Sequence, residues 1–231
     1  MRTTRSGRIQ AQLSGIFVLT TRVEAKTVVG SEFIELEVFY DYLCPFVYRA
    51  SVMLQGVAPS RKLKVTWRYF SLAQVNSKDD GWTAWDAPAS ENVRGRLAFA
   101  AAEAARRQGR FEELHMALLM ARHRDRLDID QVVVVERVAM DAGLDLELFR
   151  KDLSDPGILE SLARDHQEAV GRHGVFGTPT LVFHDGASAY VRLAEAPEGP
   201  DAQRVFDHLV TVAAGEPSIL EIKRPRKPTP D

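Results

Sequence analysis

The sequence is poor in cysteine, with one, Cys44, in 231 residues. No internal disulfide can form, which excludes a cysteine-stapled secreted scaffold. Charge of one sign is not in excess either. A formal net charge of -2 gives no electrostatic case for nucleic acid, so no such partner is expected. No run approaches the roughly 18 consecutive apolar residues of a membrane-spanning helix, so no membrane partner is expected. No Cys/His/acid grouping has the spacing of zinc ligands, so no metal is expected. No internal repeat is visible. What is present is an ordinary globular composition, 45% hydrophobic and 27% charged. The length fits one large domain or a domain carrying an inserted second one.

The single thiol sits in the stretch Tyr40-Asp41-Tyr42-Leu43-Cys44-Pro45-Phe46-Val47. A short hydrophobic strand, Phe33 to Tyr40, leads into it, and a helix follows. Pro45 suits the first helical position, because the amide that proline lacks would have been unpaired there anyway. Cys44 is then the N-cap, with its sulfur expected to face the free amides of Phe46 and Val47. The positive end of the helix dipole favours thiolate over thiol, while Asp41 is a nearby anion acting in the opposite sense. Phe46, Ala50, Met53, Leu54 and Val57 form one apolar face, and the helix is expected to fade near Gly56 and Pro59.

Lys64 to Phe70 alternates polar and apolar and reads as a second strand, completing a right-handed βαβ unit. Ser71 to Ser90 reads as a polar loop bearing Asn76, Trp82 and Trp85. Arg94 to Gln108 is an alanine-rich helix with Gly109 placed to end it. Phe111, Leu114, His115, Leu118 and Leu119 repeat at helical spacing. The four consecutive valines (132–135) in Gln131 to Ala142 suggest a strand by propensity, but Asp130 as a cap, Glu136 and the stop at Gly143 favour a helix. Asp145 caps a short helix, and Asp155-Pro156 starts a longer one carrying Leu159, Leu162, Ala163, His166, Ala169 and Val170 on one face. His115 and His166, on apolar faces, read as packed histidines and not as bases.

Gly174-Val175-Phe176-Gly177-Thr178-Pro179 breaks the pattern. Thr180 to His184 reads as a third strand, Asp185-Gly186 as a hairpin turn, and Tyr190 to Leu193 as the returning strand. Ala202 to Ala214 is an amphipathic helix ended by Gly215. The tail from Glu216, with four prolines and the basic stretch Lys223 to Lys227, is expected to be extended or disordered. At the other end, Arg2, Arg5 and Arg8 precede a weak apolar stretch, Leu13 to Leu19. That stretch is broken by Ser14 and Gly15, and no small-x-small cleavage pattern follows, so an extension is expected here and not a secretory leader.

With Cys44-Pro45 at the first helix and Gly177-Thr178-Pro179 before the third strand, the chain resembles the DsbA family of thioredoxin-fold proteins. Related groups are the kappa-class glutathione transferases and the 2-hydroxychromene-2-carboxylate isomerases. The resemblance implies an α/β thioredoxin fold with an inserted all-helical domain. Its parts would be an extension (1–30), strand-helix-strand (31–75), the helical insertion (76–155), the second half of the fold (156–215) and the tail (216–231). It also implies a cis Thr178-Pro179 bond beside Cys44. Redox-active members carry Cys-x-x-Cys, whereas Val47 stands here in place of the second thiol. A mixed disulfide on Cys44 could therefore be released only by an external thiol.

The function expected is thiol–disulfide oxidoreduction through Cys44 in the cytoplasm. Pro45, Phe46, Val47, Asn76, Thr178 and Pro179 would shape the thiol-binding site. No cofactor is expected to be tightly bound; a low-molecular-weight thiol such as glutathione would be the partner, and a homodimer is compatible with the sequence. Two alternatives stay open. One is an isomerase or transferase that uses a small thiol as cofactor, and the other is a redox-inactive binding module.

Overall fold

A computed structural model describes residues 34–59, 61–88 and 90–224. The readings for residues 1–33, and for the tail beyond Arg224, lie outside the described residues. The chain runs β1 (Ile34–Tyr40), α1 (Pro45–Val57), β2 (Leu63–Tyr69) and a one-turn α2 (Leu72–Val75). Four helices follow: α3 (Arg96–Arg107), α4 (Phe111–His123), α5 (Val132–Asp141) and α6 (Leu146–Leu153). A 3-10 turn (Pro156–Leu159), α7 (Glu160–His173), β3 (Thr180–Phe183), β4 (Ser188–Tyr190) and α8 (Gly199–Gly215) complete it.

The strand order is β2-β1-β3-β4, with β1 parallel to β2 and antiparallel to β3. The central strand explains the layering. Leu36, Val38 and Tyr40 point into the larger core and Phe39 into a smaller one with Phe70, Ala169, Val175 and Val182. Side chains alternate across a strand, so a strand buried on both faces needs a layer on each. Helices α1 and α8 pack against each other, and α7 packs on β2. This is the α/β architecture that the order of elements led one to expect.

Several local expectations are corrected. The Ser71 to Ser90 stretch is not all loop: Ser71 Oγ accepts from the Gln74 amide at 3.1 Å and caps α2. Asp130 does not cap α5; its carboxylate accepts from the Gly95 amide at 2.6 Å, and Gln131 holds the cap position. The helix after Asp155-Pro156 begins as a 3-10 turn, and Val170 on α7 is exposed. β3 ends at Phe183, one residue short of the expected strand. The returning strand pairs through Ser188–Tyr190 and not Tyr190 to Leu193, because the tight turn closes at once. The Gly186 amide donates to the Phe183 carbonyl and the Phe183 amide to the Ala187 carbonyl, both at 2.8 Å.

α1 ends at Val57, where it was expected to fade, and Gly56 has a second role. A Cβ there would stand 3.0 Å from the Ala202 Cβ, so the glycine is what lets α8 lie against α1. The four valines are helical, and only Val135 of them is buried. Tertiary packing of one face overrides their strand propensity.

Candidate functional site

The turn that carries the cysteine is built by Asp41. Its carboxylate accepts from the Leu43 amide and from the Leu72 amide, each at 2.7 Å, and its carbonyl accepts from the Cys44 amide at 3.1 Å. One side chain thus shapes the turn before α1 and ties it to α2. Asp41 is fully buried, and loss of solvation raises its carboxyl to about 6 against the pull of those two amides. From α4, His123 Nε2 lies 2.8 Å from the Tyr42 carbonyl and steadies the same turn from the other side.

Cys44 takes the N-cap position, but its sulfur does not accept from the helix amides. The Val47 amide donates to the Cys44 carbonyl at 3.1 Å, and the cysteine side chain makes no cap bond. Instead the thiol donates to the Thr178 carbonyl at 3.1 Å. The physical reason is supply and demand: a thiol is a weak acceptor that carries a proton, and the buried carbonyl opposite needs a donor. Thr178 Oγ1 itself is buried without a partner. The Thr178–Pro179 peptide bond is cis. Pro179 is buried, and its carbonyl accepts from the Val191 amide at 3.0 Å, which fixes the end of β4 beside it.

Although Cys44 is 5% exposed, it lines a cleft of about 360 Å³. Pro45, Phe46, Asn76 and Thr178 line the same cleft. Val47 is brought to the neighbourhood only through the backbone, since its side chain is wholly buried in the core. Asn76 caps α2, donating from Nδ2 to the Leu72 carbonyl at 2.7 Å. A larger hollow, about 460 Å³ between α4 and α5, contains no thiol.

His115 and His166 do not act at the sulfur. His115 is buried among Tyr40, Tyr42 and Trp67, with Nδ1 3.1 Å from the Tyr42 hydroxyl, and burial pushes it down to about 3. His166 Nδ1 accepts from the Ser71 amide at 3.1 Å, and burial pushes it down to about 4. Both are neutral at pH 7. No group of three or more His, Cys, Asp or Glu among the described residues could hold a metal ion. Nor is any described helix long and apolar enough to cross a membrane.

Sequence reasoning missed Phe176, Tyr190 and Arg192, which close the far wall. The pairing of Thr180 with Tyr190 across the Asp185-Gly186 turn was the signal that could have found them, since it brings the end of β4 beside Pro179.

The family model of the DSBA-like thioredoxin domain matches residues 35–207. The chain belongs to that family. By sequence it is 28% identical over 190 residues to an uncharacterized protein of Mycobacterium tuberculosis, covering 82% of this chain and 81% of the relative. Among solved structures it resembles a probable DsbA oxidoreductase of Streptomyces coelicolor, at 22% identity and TM-score 0.57, covering 86% of this chain and 97% of that one. It also resembles the cytosolic disulfide reductase DsbM of Pseudomonas aeruginosa, solved with GSH, at 19% identity and TM-score 0.53, covering 74% and 96%. At these identities the structural likeness speaks for the fold alone. Membership of the DsbA-like thiol oxidoreductase family carries an enzymatic role in general terms.

Proposed function

We propose that the chain is a monothiol oxidoreductase in which Cys44 Sγ exchanges disulfides with a low-molecular-weight thiol. The observation that carries this reading is the pairing of the chain's one thiol with the Thr178 carbonyl, 3.1 Å apart at the wall of an open cleft. The deprotonated sulfur attacks one sulfur of a disulfide. The old S–S bond breaks, a new one forms to Cys44, and the released thiolate takes a proton from solvent. A second small thiol then attacks the mixed disulfide, because Val47 offers no internal sulfur.

When the thiol proton leaves, the Thr178 carbonyl loses its donor and is left to accept from an N–H of a peptide-like thiol. Pro45, Phe46 and Asn76 line the cleft in which that ligand would lie. The thiol is a co-substrate and not a bound cofactor. Glutathione, the ligand of the DsbM structure, is the model for its chemistry. We place the chain in the cytoplasm, where such thiols are kept reduced and can resolve the adduct.

Incubation with oxidised glutathione followed by intact mass tests the reading. One glutathione adduct is expected on the wild type, reversed by added thiol, and none on Cys44→Ser. Tight binding of glutathione without an adduct would replace this reading with a small-thiol-dependent isomerase or transferase. Neither adduct nor binding would leave a redox-inactive module.

A further inference from the structure

Among the described residues lining the Cys44 cleft, Arg192 is the only one with a charged side chain. Its backbone is pinned on both sides: the Val191 amide donates to the Pro179 carbonyl at 3.0 Å, and Arg49 Nη1 donates to the Leu193 carbonyl at 2.8 Å. The Arg192 guanidinium lies over the Phe46 ring, 4.3 Å from its centre. Phe46 stands two residues after Cys44, so the cation is seated on the same first helical turn that carries the sulfur.

A guanidinium held over an aromatic ring by cation–π attraction spends none of its N–H hydrogen-bond donors on it. Among the described residues Arg192 spends none of them, for it makes neither an ion pair nor a hydrogen bond, whereas Arg49 spends one on Leu193. No acidic side chain is among the described residues that line the cleft. Asp41, the acid nearest to Cys44 in sequence, is buried beneath the turn with its oxygens committed to the Leu43 and Leu72 amides. Beside Arg192 the cleft is lined by exposed aromatic and apolar side chains: Phe176, packed edge-on to Tyr190 at 5.0 Å, and Val75.

We propose that Arg192 reads the charge of the substrate, so that the cleft selects thiols and disulfides bearing a carboxylate a few bonds from the reacting sulfur. The guanidinium fork matches a carboxylate in two parallel hydrogen bonds, and the aromatic wall accommodates the short apolar spacer between carboxylate and sulfur. This rests on Cys44 as the reacting thiol and adds which ligands reach it. The chemical step is the exchange written above: Cys44 is oxidised to a mixed disulfide, and the departing half is reduced and leaves with a proton.

The test is the rate of adduct formation on the full-length chain, by intact mass, with three disulfides of similar size. These are anionic 3,3′-dithiodipropionate, neutral bis(2-hydroxyethyl) disulfide and cationic cystamine. A neutral model thiol run in parallel corrects for their intrinsic reactivity. After correction the anionic reagent should exceed the neutral one about tenfold, equivalent to about 1.4 kcal/mol, with cystamine slowest. In Arg192→Gln, with its fold checked by circular dichroism, the anionic-to-neutral ratio should fall to within about twofold of unity, and in Arg192→Glu it should invert. A wild-type ratio near one, or a preference that survives Arg192→Gln, overturns the assignment while leaving the reactive thiol intact. Absence of any adduct with all three reagents overturns both.

Discussion

His115 and His166 are held neutral by burial, at about 3 and about 4, while Asp41 is pushed the other way, to about 6. The consequences for stability have opposite signs. In the unfolded chain each histidine takes up a proton near pH 6.5, and the fold refuses it, so stability falls as pH drops below that value. His115 alone costs about 2 kcal/mol by pH 5 on this account. Asp41 binds its proton in the fold near pH 6 but only near pH 4 when unfolded, so acid relieves its burial and offsets part of the loss. Two histidines outweigh one aspartate. The urea midpoint should therefore fall between pH 7 and pH 5; a midpoint that stays level or rises would mean that a buried histidine accepts its proton within the fold. In the sequence Asp41 was legible only as an anion near the thiol. The bond to Leu43, two residues on, is a local pattern that could be read, but the bond to Leu72 joins residues 31 apart and needs the fold.

At the level of elements, periodicity and punctuation were readable wherever one face is buried. Asp145 caps α6 through the Glu147 and Leu148 amides, as its position implied. Cys44 and Pro45 start α1 where expected. The failures have a common origin in contacts between distant segments. Asp130 bonds to Gly95 and not to its own helix, and Gly56, besides standing at the end of α1, receives α8 in a contact that sequence alone does not reveal. The sulfur was expected to bond within its own helix, and it bonds across 134 residues to Thr178. The second contact has a direct test. Gly56→Val places branched carbon where 3.0 Å is already taken by Ala202, forcing α8 away from α1, and should cost about 1–3 kcal/mol. An unchanged or raised urea midpoint would show that the helices have room to spare.

Across the whole molecule, the helical block and the sheet share one apolar core. Tyr40 of β1 meets Trp67 and Tyr69 of β2, and it also meets Phe99 of α3 and His115 of α4, with ring centres 4.7–6.2 Å apart. Arg106 of α3 adds a bond to the Trp67 carbonyl at 2.7 Å. A core shared in this way predicts one cooperative transition. Unfolding in urea followed by far-ultraviolet circular dichroism and by tryptophan fluorescence should give superimposable curves; two separated transitions would mean that sheet and helices melt as independent units.

The cleft does not inherit that unity evenly. α1 and β3 bury side chains in the common core, but α2 buries none completely and is tethered through the Leu72 and Ser71 amides to Asp41 and His166. The cleft thus has one stiff jaw and one compliant jaw. Whatever tolerance it has for bulkier ligands belongs to the compliant side, and amide exchange at α2 should outpace that of β3 by a wide margin.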